Sequence, residues 1–305
     1  MVTRHPYALI WLPVGLVAGL LLAACAGTEA DAGTPGETSI TPIVATPILA
    51  TKELHVGTQR VAFLLETPTA LVTAAEARVT SYAPGEGGAP RETTNAEFHE
   101  WPYATRGTYV TELRFDQPGE WRLLVEVDDA GFIGSTEINL KVAEESRVRT
   151  IGQLAPFSNS RTLASAGGDL ASITSHYQPD PELYHLSIAE ALITGRPSVI
   201  VFASPAFCTT PTCGPQVDTV SELKERYREA ADFIHVEVYD NPDEIQGDLN
   251  LARLSPVLAE WGIDQVSGYV NESWVFVLGR DGRITARFEG YATLGELESA
   301  LLEEL

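Results

Sequence analysis

The chain has 305 residues, with 42 Asp and Glu against 20 Lys and Arg and a formal net charge of −22. So acidic a composition excludes binding to nucleic acid or anionic lipid through basic patches, which need clustered cations. The acids read instead as a solubilising surface.

At the N-terminus Arg4 supplies a short positive region, Tyr7 to Ala23 is almost wholly apolar, and the run ends in Leu22-Ala23-Ala24-Cys25. This is the layout of an export signal. Small residues directly before a cysteine resemble the lipobox of bacterial lipoproteins. That resemblance implies that residues 1–24 are a signal peptide and that Cys25 is acylated and becomes the mature N-terminus. The protein would then be lipid-anchored at the cell membrane, facing the extracytoplasmic side. An uncleaved transmembrane anchor and an ordinary secreted protein are the alternatives. All three export the chain to a compartment where disulfides persist.

Residues 25–52 are rich in Gly, Thr, Pro, Ala and Glu, with Thr-Pro at three places and no amphipathic period. They read as a flexible tether. The remainder suits two domains better than one core.

Residues 53–143 carry short, evenly spaced strand patterns. Arg60 to Leu65, Ala77 to Tyr82, Tyr109 to Phe115, Trp121 to Val127 and Ser135 to Val142 all read as strands. Trp121, Leu123, Val125 and Val127 fall on one face of theirs. Asp116-Gln-Pro-Gly119 and Asp128-Asp-Ala-Gly131 are turn chemistry between them. The pattern predicts an all-β, immunoglobulin-like sandwich held by packing alone. His99, beside Glu97 and Glu100, is a conceivable metal ligand, but the four-ligand spacing of a metal site is missing and a solvated or structural histidine fits better.

Residues 144–182 are polar and irregular, a linker and entrance segment, after which Leu186 to Leu192 reads as a short helix. The chain from 183 to 305 is regular. Val199-Ile-Val-Phe-Ala203 is a continuous apolar, β-branched run, as in a strand covered on both faces. Phe207-Cys-Thr-Thr-Pro-Thr-Cys-Gly-Pro215 follows, with Pro215 suited to the first position of a helix that continues through Val217, Val220, Leu223 and Tyr227. Phe233 to Tyr239 is a second strand, and Ser255-Pro256 opens a short helix ended by Gly262. Trp274 to Leu278 and Arg283 to Glu289 form a hairpin about Gly279-Arg-Asp-Gly282. Thr293-Leu-Gly-Glu296 is a capping box for a last helix.

This succession, with cysteines after the first buried strand and a hairpin plus helix at the end, resembles the thioredoxin-like fold over residues 183–305. The expected fold class is therefore an α/β thioredoxin-like C-terminal domain preceded by an all-β sandwich. The motif departs from the family's Trp-Cys-x-x-Cys. Phe207 precedes Cys208, four residues separate it from Cys213, and Gln216 stands where the second cysteine of a Cys-Gly-Pro-Cys motif would be. Where the family carries a cis-proline facing the disulfide, Ser273 is found, and a cis bond before serine costs about 2.5–4 kcal/mol.

The resemblance implies thiol–disulfide exchange by Cys208 and Cys213 on thiols or disulfides of other exported proteins, with no organic cofactor. A helix N-terminus eases negative charge on sulfur, Phe207 could shield one sulfur, and Cys213 would resolve the mixed disulfide formed at Cys208. Two other readings stand beside it. One is a non-catalytic interaction module whose disulfide staples the turn, adding about 2–3 kcal/mol. The other is copper binding by the two thiolates and a distant histidine, although His176, His185 and His235 occupy no matching place. His235, inside a strand, reads as a packed core residue. Asp240, Asp243 and Glu244 form a charged loop without calcium-loop spacing, and no phosphate loop, HExxH or nucleophile elbow is present.

Overall fold

The structure is a computed structural model and describes residues 44–85, 89–102, 106–129, 131–266 and 272–305. Residues 1–24, read above as an export signal, Cys25 and the first part of the expected tether lie outside the described residues. Among those described, no helix is long and apolar enough to cross a membrane.

Alternating patterns along the first half produce seven strands: β1 (Thr46–Leu49), β2 (Gly57–Glu66), β3 (Glu76–Tyr82), β4 (Glu92–Glu100), β5 (Gly107–Phe115), β6 (Gly119–Asp129) and β7 (Phe132–Val142). They form one sheet in the order β1-β2-β5-β4-β3-β6-β7, every pair antiparallel. The chain entering β2 meets the end of β7, where Val56 N–H donates to Ala143 O at 3.0 Å and Ala143 N–H to Leu54 O at 2.9 Å. The sheet therefore nearly closes on itself as a barrel. In β6 the alternation reads directly onto burial: Trp121, Leu123, Val125 and Val127 are all 3 % exposed or less. They pack inside the barrel with Phe63, Tyr109, Leu113 and Phe115. Residues 46–49, assigned to the tether on composition, are strand β1 of this sheet.

The second half builds a four-stranded sheet from β8 (Ser198–Ala203), β9 (Asp232–Glu237), β10 (Trp274–Leu278) and β11 (Ile284–Glu289), in the order β11-β10-β8-β9. Around it lie α1 (Ile188–Thr194), α2 (Cys213–Tyr227), α3 (Pro242–Ile245), α4 (Pro256–Trp261) and α5 (Leu294–Leu302). Every residue of β8 is buried. Val199, Val201 and Ala203 pack with residues of α2 and α5, and Ile200 and Phe202 with residues of α1 and α4. Of the helices, α2 has 15 residues and none of the others more than nine.

These findings correct the expected fold class. The chain is mostly β, a nearly closed seven-stranded antiparallel barrel-like sheet plus a second sheet with few helices, rather than an α/β thioredoxin-like domain behind an immunoglobulin-like sandwich. The sandwich fails because each inner strand is paired on both sides within one sheet, so the sheet's own concave face encloses the core. The α/β reading rested on the order of elements, a buried strand followed by cysteines and a helix, with a hairpin and helix at the end. In the four-stranded sheet β8 and β9 run parallel, β10 meets β8 and β11 antiparallel, and the short helices leave the chain mostly β.

The segment 144–182 is a strap laid on the second sheet more than a loose linker. Gly152 N–H donates to Ile284 O at 2.8 Å and Ala155 N–H to Gly282 O at 2.9 Å, while Val148 and Ile173 are buried. The barrel and the second sheet meet across a charged seam. Arg287 pairs with Glu53, Arg60 with Glu296, and the Glu289 carboxylate accepts the N–H groups of Lys52 and Glu53.

Candidate functional site at the disulfide

Cys208 and Cys213 are joined by a disulfide with Cα atoms 5.9 Å apart. Strand β8 ends at Ala203, and the loop that follows carries Phe207 and Cys208 before Cys213 opens α2. The two sulfurs differ. Cys213 is fully buried in the apolar cluster with Ala203, Val217 and Leu297, whereas Cys208 is half-buried at the edge of that cluster. A reagent approaching from solvent meets Cys208 first, and Cys213 lies at the helix end whose peptide dipoles favour a thiolate.

Other expected site residues take different parts. Pro215 is the third helical residue, where a missing N–H still costs nothing because the first four are unpaired within a helix. Phe207 stacks edge-on against Tyr239 with ring centroids 5.9 Å apart. Gln216 is wholly buried and clamps the chain after β11, accepting Ala292 N–H at 2.6 Å and donating to Ala292 O at 3.3 Å. Ser273 is buried just before β10, its carbonyl accepting Gly290 N–H at 2.9 Å, and its hydroxyl has no hydrogen-bond partner among the described residues.

The side chain that reaches the cysteine loop is the neighbour of Ser273. The Glu272 carboxylate accepts the Thr210 hydroxyl at 2.7 Å, and the same Thr210 oxygen lies 3.9 Å from Cys208 Sγ. Thr212 precedes the first residue of α2 but does not cap it. Its hydroxyl faces Thr210 at 2.8 Å and Glu272 at 3.5 Å. Burial pushes the Glu272 carboxyl above the usual carboxylate range, against the Thr210 hydrogen bond and the charge of Lys52. A cavity of about 190 Å³ opens beside these groups, walled by Ile48, Ala50, Leu64 and Trp101 from the barrel side and by Thr210 and Glu272 from the disulfide side. Glu272 and Thr210 are 62 residues apart and belong to no motif, so no local pattern announces them.

Behind the loop, Glu237 accepts the Ser175 N–H at 2.8 Å and hydroxyl at 2.7 Å, and Ser175 Oγ also accepts Ala206 N–H at 3.2 Å. Burial raises the Glu237 carboxyl. His235 is buried beside it, its rings of contact being Tyr184 Oη at 2.6 Å and Ala203 O at 3.0 Å. Burial pushes it down to about 4, so the neutral ring donates to the carbonyl and accepts from the tyrosine, as a packed core residue does. His99 pairs with Glu296 at 3.1 Å and His176 with Asp218 at 3.1 Å. Among the described residues no three or more His, Cys, Asp and Glu side chains gather as a metal site would require.

No protein-family model matches the chain, and no curated protein does. Among solved structures, a crystal structure of an engineered protein aligns over 33 % of this chain at 10 % identity with a TM-score of 0.22. The aligned part spans 20 % of that engineered chain, and a likeness so slight carries neither fold nor function.

Proposed function

We propose that the Cys208–Cys213 pair carries out thiol–disulfide exchange with thiols or disulfides of other exported proteins, on a chain held at the extracytoplasmic face of the membrane by a lipid on Cys25. The observation that supports this reading is the asymmetry of the pair, Cys208 being a half-buried residue and Cys213 a fully buried one at the start of α2. A partner thiolate attacks Cys208 Sγ, the S–S bond breaks, and its electron pair leaves on Cys213 as a thiolate. A second partner thiolate then attacks the partner's sulfur in the mixed disulfide, forming the partner's disulfide and releasing Cys208 reduced.

The second reading, an interaction module with a fixed disulfide, draws on the same burial, since Cys213 contributes to an apolar cluster. Two measurements separate them. On the exchange reading a mild dithiol reduces the pair, and Cys213→Ser traps partners as mixed disulfides on Cys208. A pair that resists reduction, with a reduction potential far below that of the envelope's exchange partners, and a variant that traps nothing, leave only the fixed staple.

A further inference from the structure

Thiol–disulfide exchange at Cys208 moves a proton off its sulfur before attack and back onto it after release. Among the described side chains around the cavity, Glu272 is linked to that sulfur through a single hydroxyl, at 2.7 Å from Thr210 Oγ1, which is itself 3.9 Å from Cys208 Sγ. Resting on the exchange reading, we infer that Glu272 is a positioning residue that passes a proton to and from Cys208 through the Thr210 hydroxyl.

The balance is simple. With the pair reduced, the Cys208 S–H donates to Thr210 Oγ1 while Thr210 O–H donates to the Glu272 carboxylate. Transfer along both bonds leaves a Cys208 thiolate and a Glu272 carboxylic acid. The thiolate attacks a partner disulfide, the partner S–S bond breaks, and its electron pair leaves on the partner's sulfur. In the opposite direction Cys208 is released as a thiolate, and the acid returns the proton by the same route.

The surroundings suit the task. Thr212 also faces Thr210, at 2.8 Å, so the hydroxyl keeps a second partner in either state. The titratable groups that share the cavity are Lys52 ahead of β2, Glu289 at the end of β11 and Tyr291 just beyond it. The Lys52 charge favours the carboxylate, whereas burial favours the acid. Burial outweighs the charge and the threonine hydrogen bonds, so the carboxyl lies above its ordinary range and nearer to the pH at which it can both take and give a proton. Glu289 is held by the Lys52 and Glu53 N–H groups at 3.0 Å.

The test uses the full chain, reduced with dithiothreitol, and follows iodoacetamide alkylation of Cys208 across pH by peptide mass spectrometry. It is run on the wild type, Glu272→Gln and Thr210→Val. Removing the nearby negative charge should lower the alkylation midpoint of Glu272→Gln by about one pH unit. Thr210→Val, which keeps the charge but breaks the route, should slow oxidation of a reduced peptide dithiol by the Cys208–Cys213 disulfide about tenfold at neutral pH. Thr210→Ser should recover part of that rate. A merely structural role would leave the midpoint in place, so a wild-type profile in both variants overturns the inference while the exchange reading stands. A wild-type disulfide that dithiothreitol cannot reduce overturns both.

Discussion

Arg287 of β11 reaches across the seam to Glu53, ahead of β2, at 2.5 Å, with the two side chains 9 % and 6 % exposed. The pair ties the barrel to the second sheet over 234 positions of sequence. Ser146 joins it, donating to Glu53 at 2.8 Å and accepting from Arg287 at 2.9 Å. Burial works against the Glu53 charge, but His55, Arg287 and Ser146 together hold its carboxyl down at about 2. Breaking one side of a buried pair leaves the other charge uncompensated, at a cost of about 3–5 kcal/mol. Arg287→Met is expected to lower stability by about 3 kcal/mol, read from urea unfolding, whereas Arg283→Met at an exposed pair with Asp281 should cost less than about 1 kcal/mol.

The seam also makes stability depend on pH in two senses. Burial lifts Glu289 to about 7, against the Lys52 and Glu53 N–H groups and with the charge of Glu53 adding to the lift. A carboxyl raised above its unfolded value favours folding while protonated, so its contribution fades as pH climbs through about 7. His99, raised first by its bond to Glu296, also contributes less as pH rises. Glu296 behaves oppositely. Burial opposes its charge, yet His99, Arg60 and the Thr293 N–H hold it at about 2, and its contribution goes as pH falls towards that value. Thermal midpoints should therefore carry a declining term from Glu289 as pH rises from about 4.5 to about 7, and Glu289→Gln should remove it. A decline across that window as steep in Glu289→Gln as in wild type would refute the assignment.

Gly262, which ends α4, has φ +75°, and a Cβ placed on it would lie 2.0 Å from Arg147 O. Gly195 ends α1 at φ +68° with nothing within 4 Å of such an atom. Gly195→Ala should cost about 1 kcal/mol, the left-handed penalty alone. Gly262→Ala must also displace the strap at Arg147 and should cost at least about twice as much. Equal losses in chemical denaturation would show that the strap yields freely.

Gln216 makes both of its hydrogen bonds to Ala292 in a fully buried position. Gln216→Leu keeps the volume but leaves an N–H and a carbonyl unpaired, for a loss of about 1–3 kcal/mol in unfolding free energy. Gln216→Cys should suffer similarly and gain no partner in exchange assays, because the position serves the clamp.

Local patterns were legible where a few neighbouring residues decide the outcome. The alternation from Trp121 to Val127 became the inner face of β6, and Thr293 with Glu296 formed the capping box that opens α5. Strand pairing was not legible. Whether β3 sits between β4 and β6 in one curved sheet, or the strands divide into two stacked sheets, depends on hydrogen bonds between segments whose alternation looks the same either way. Composition misled at Thr46 to Leu49, where Thr-Pro segments suggest a tether but the backbone pairs with β2. Cys208 and Cys213 stood out because a short spacing sufficed to bring them together, while Glu272 did not.

By itself the sequence determined the strongly acidic surface, the strands and caps, and the short loop that joins two cysteines ahead of a helix, because each follows from composition or from residues within a turn or two of one another. Tertiary structure alone decided that seven strands share one nearly closed sheet and that Glu53, Arg60, His99, Arg287 and Glu289 become a buried seam. It also set Glu272 behind Thr210 and left Cys208 the less buried of the two cysteines. Burial and charge pairing depend on which distant segments exclude water from one another, and no local stretch of chain carries that information.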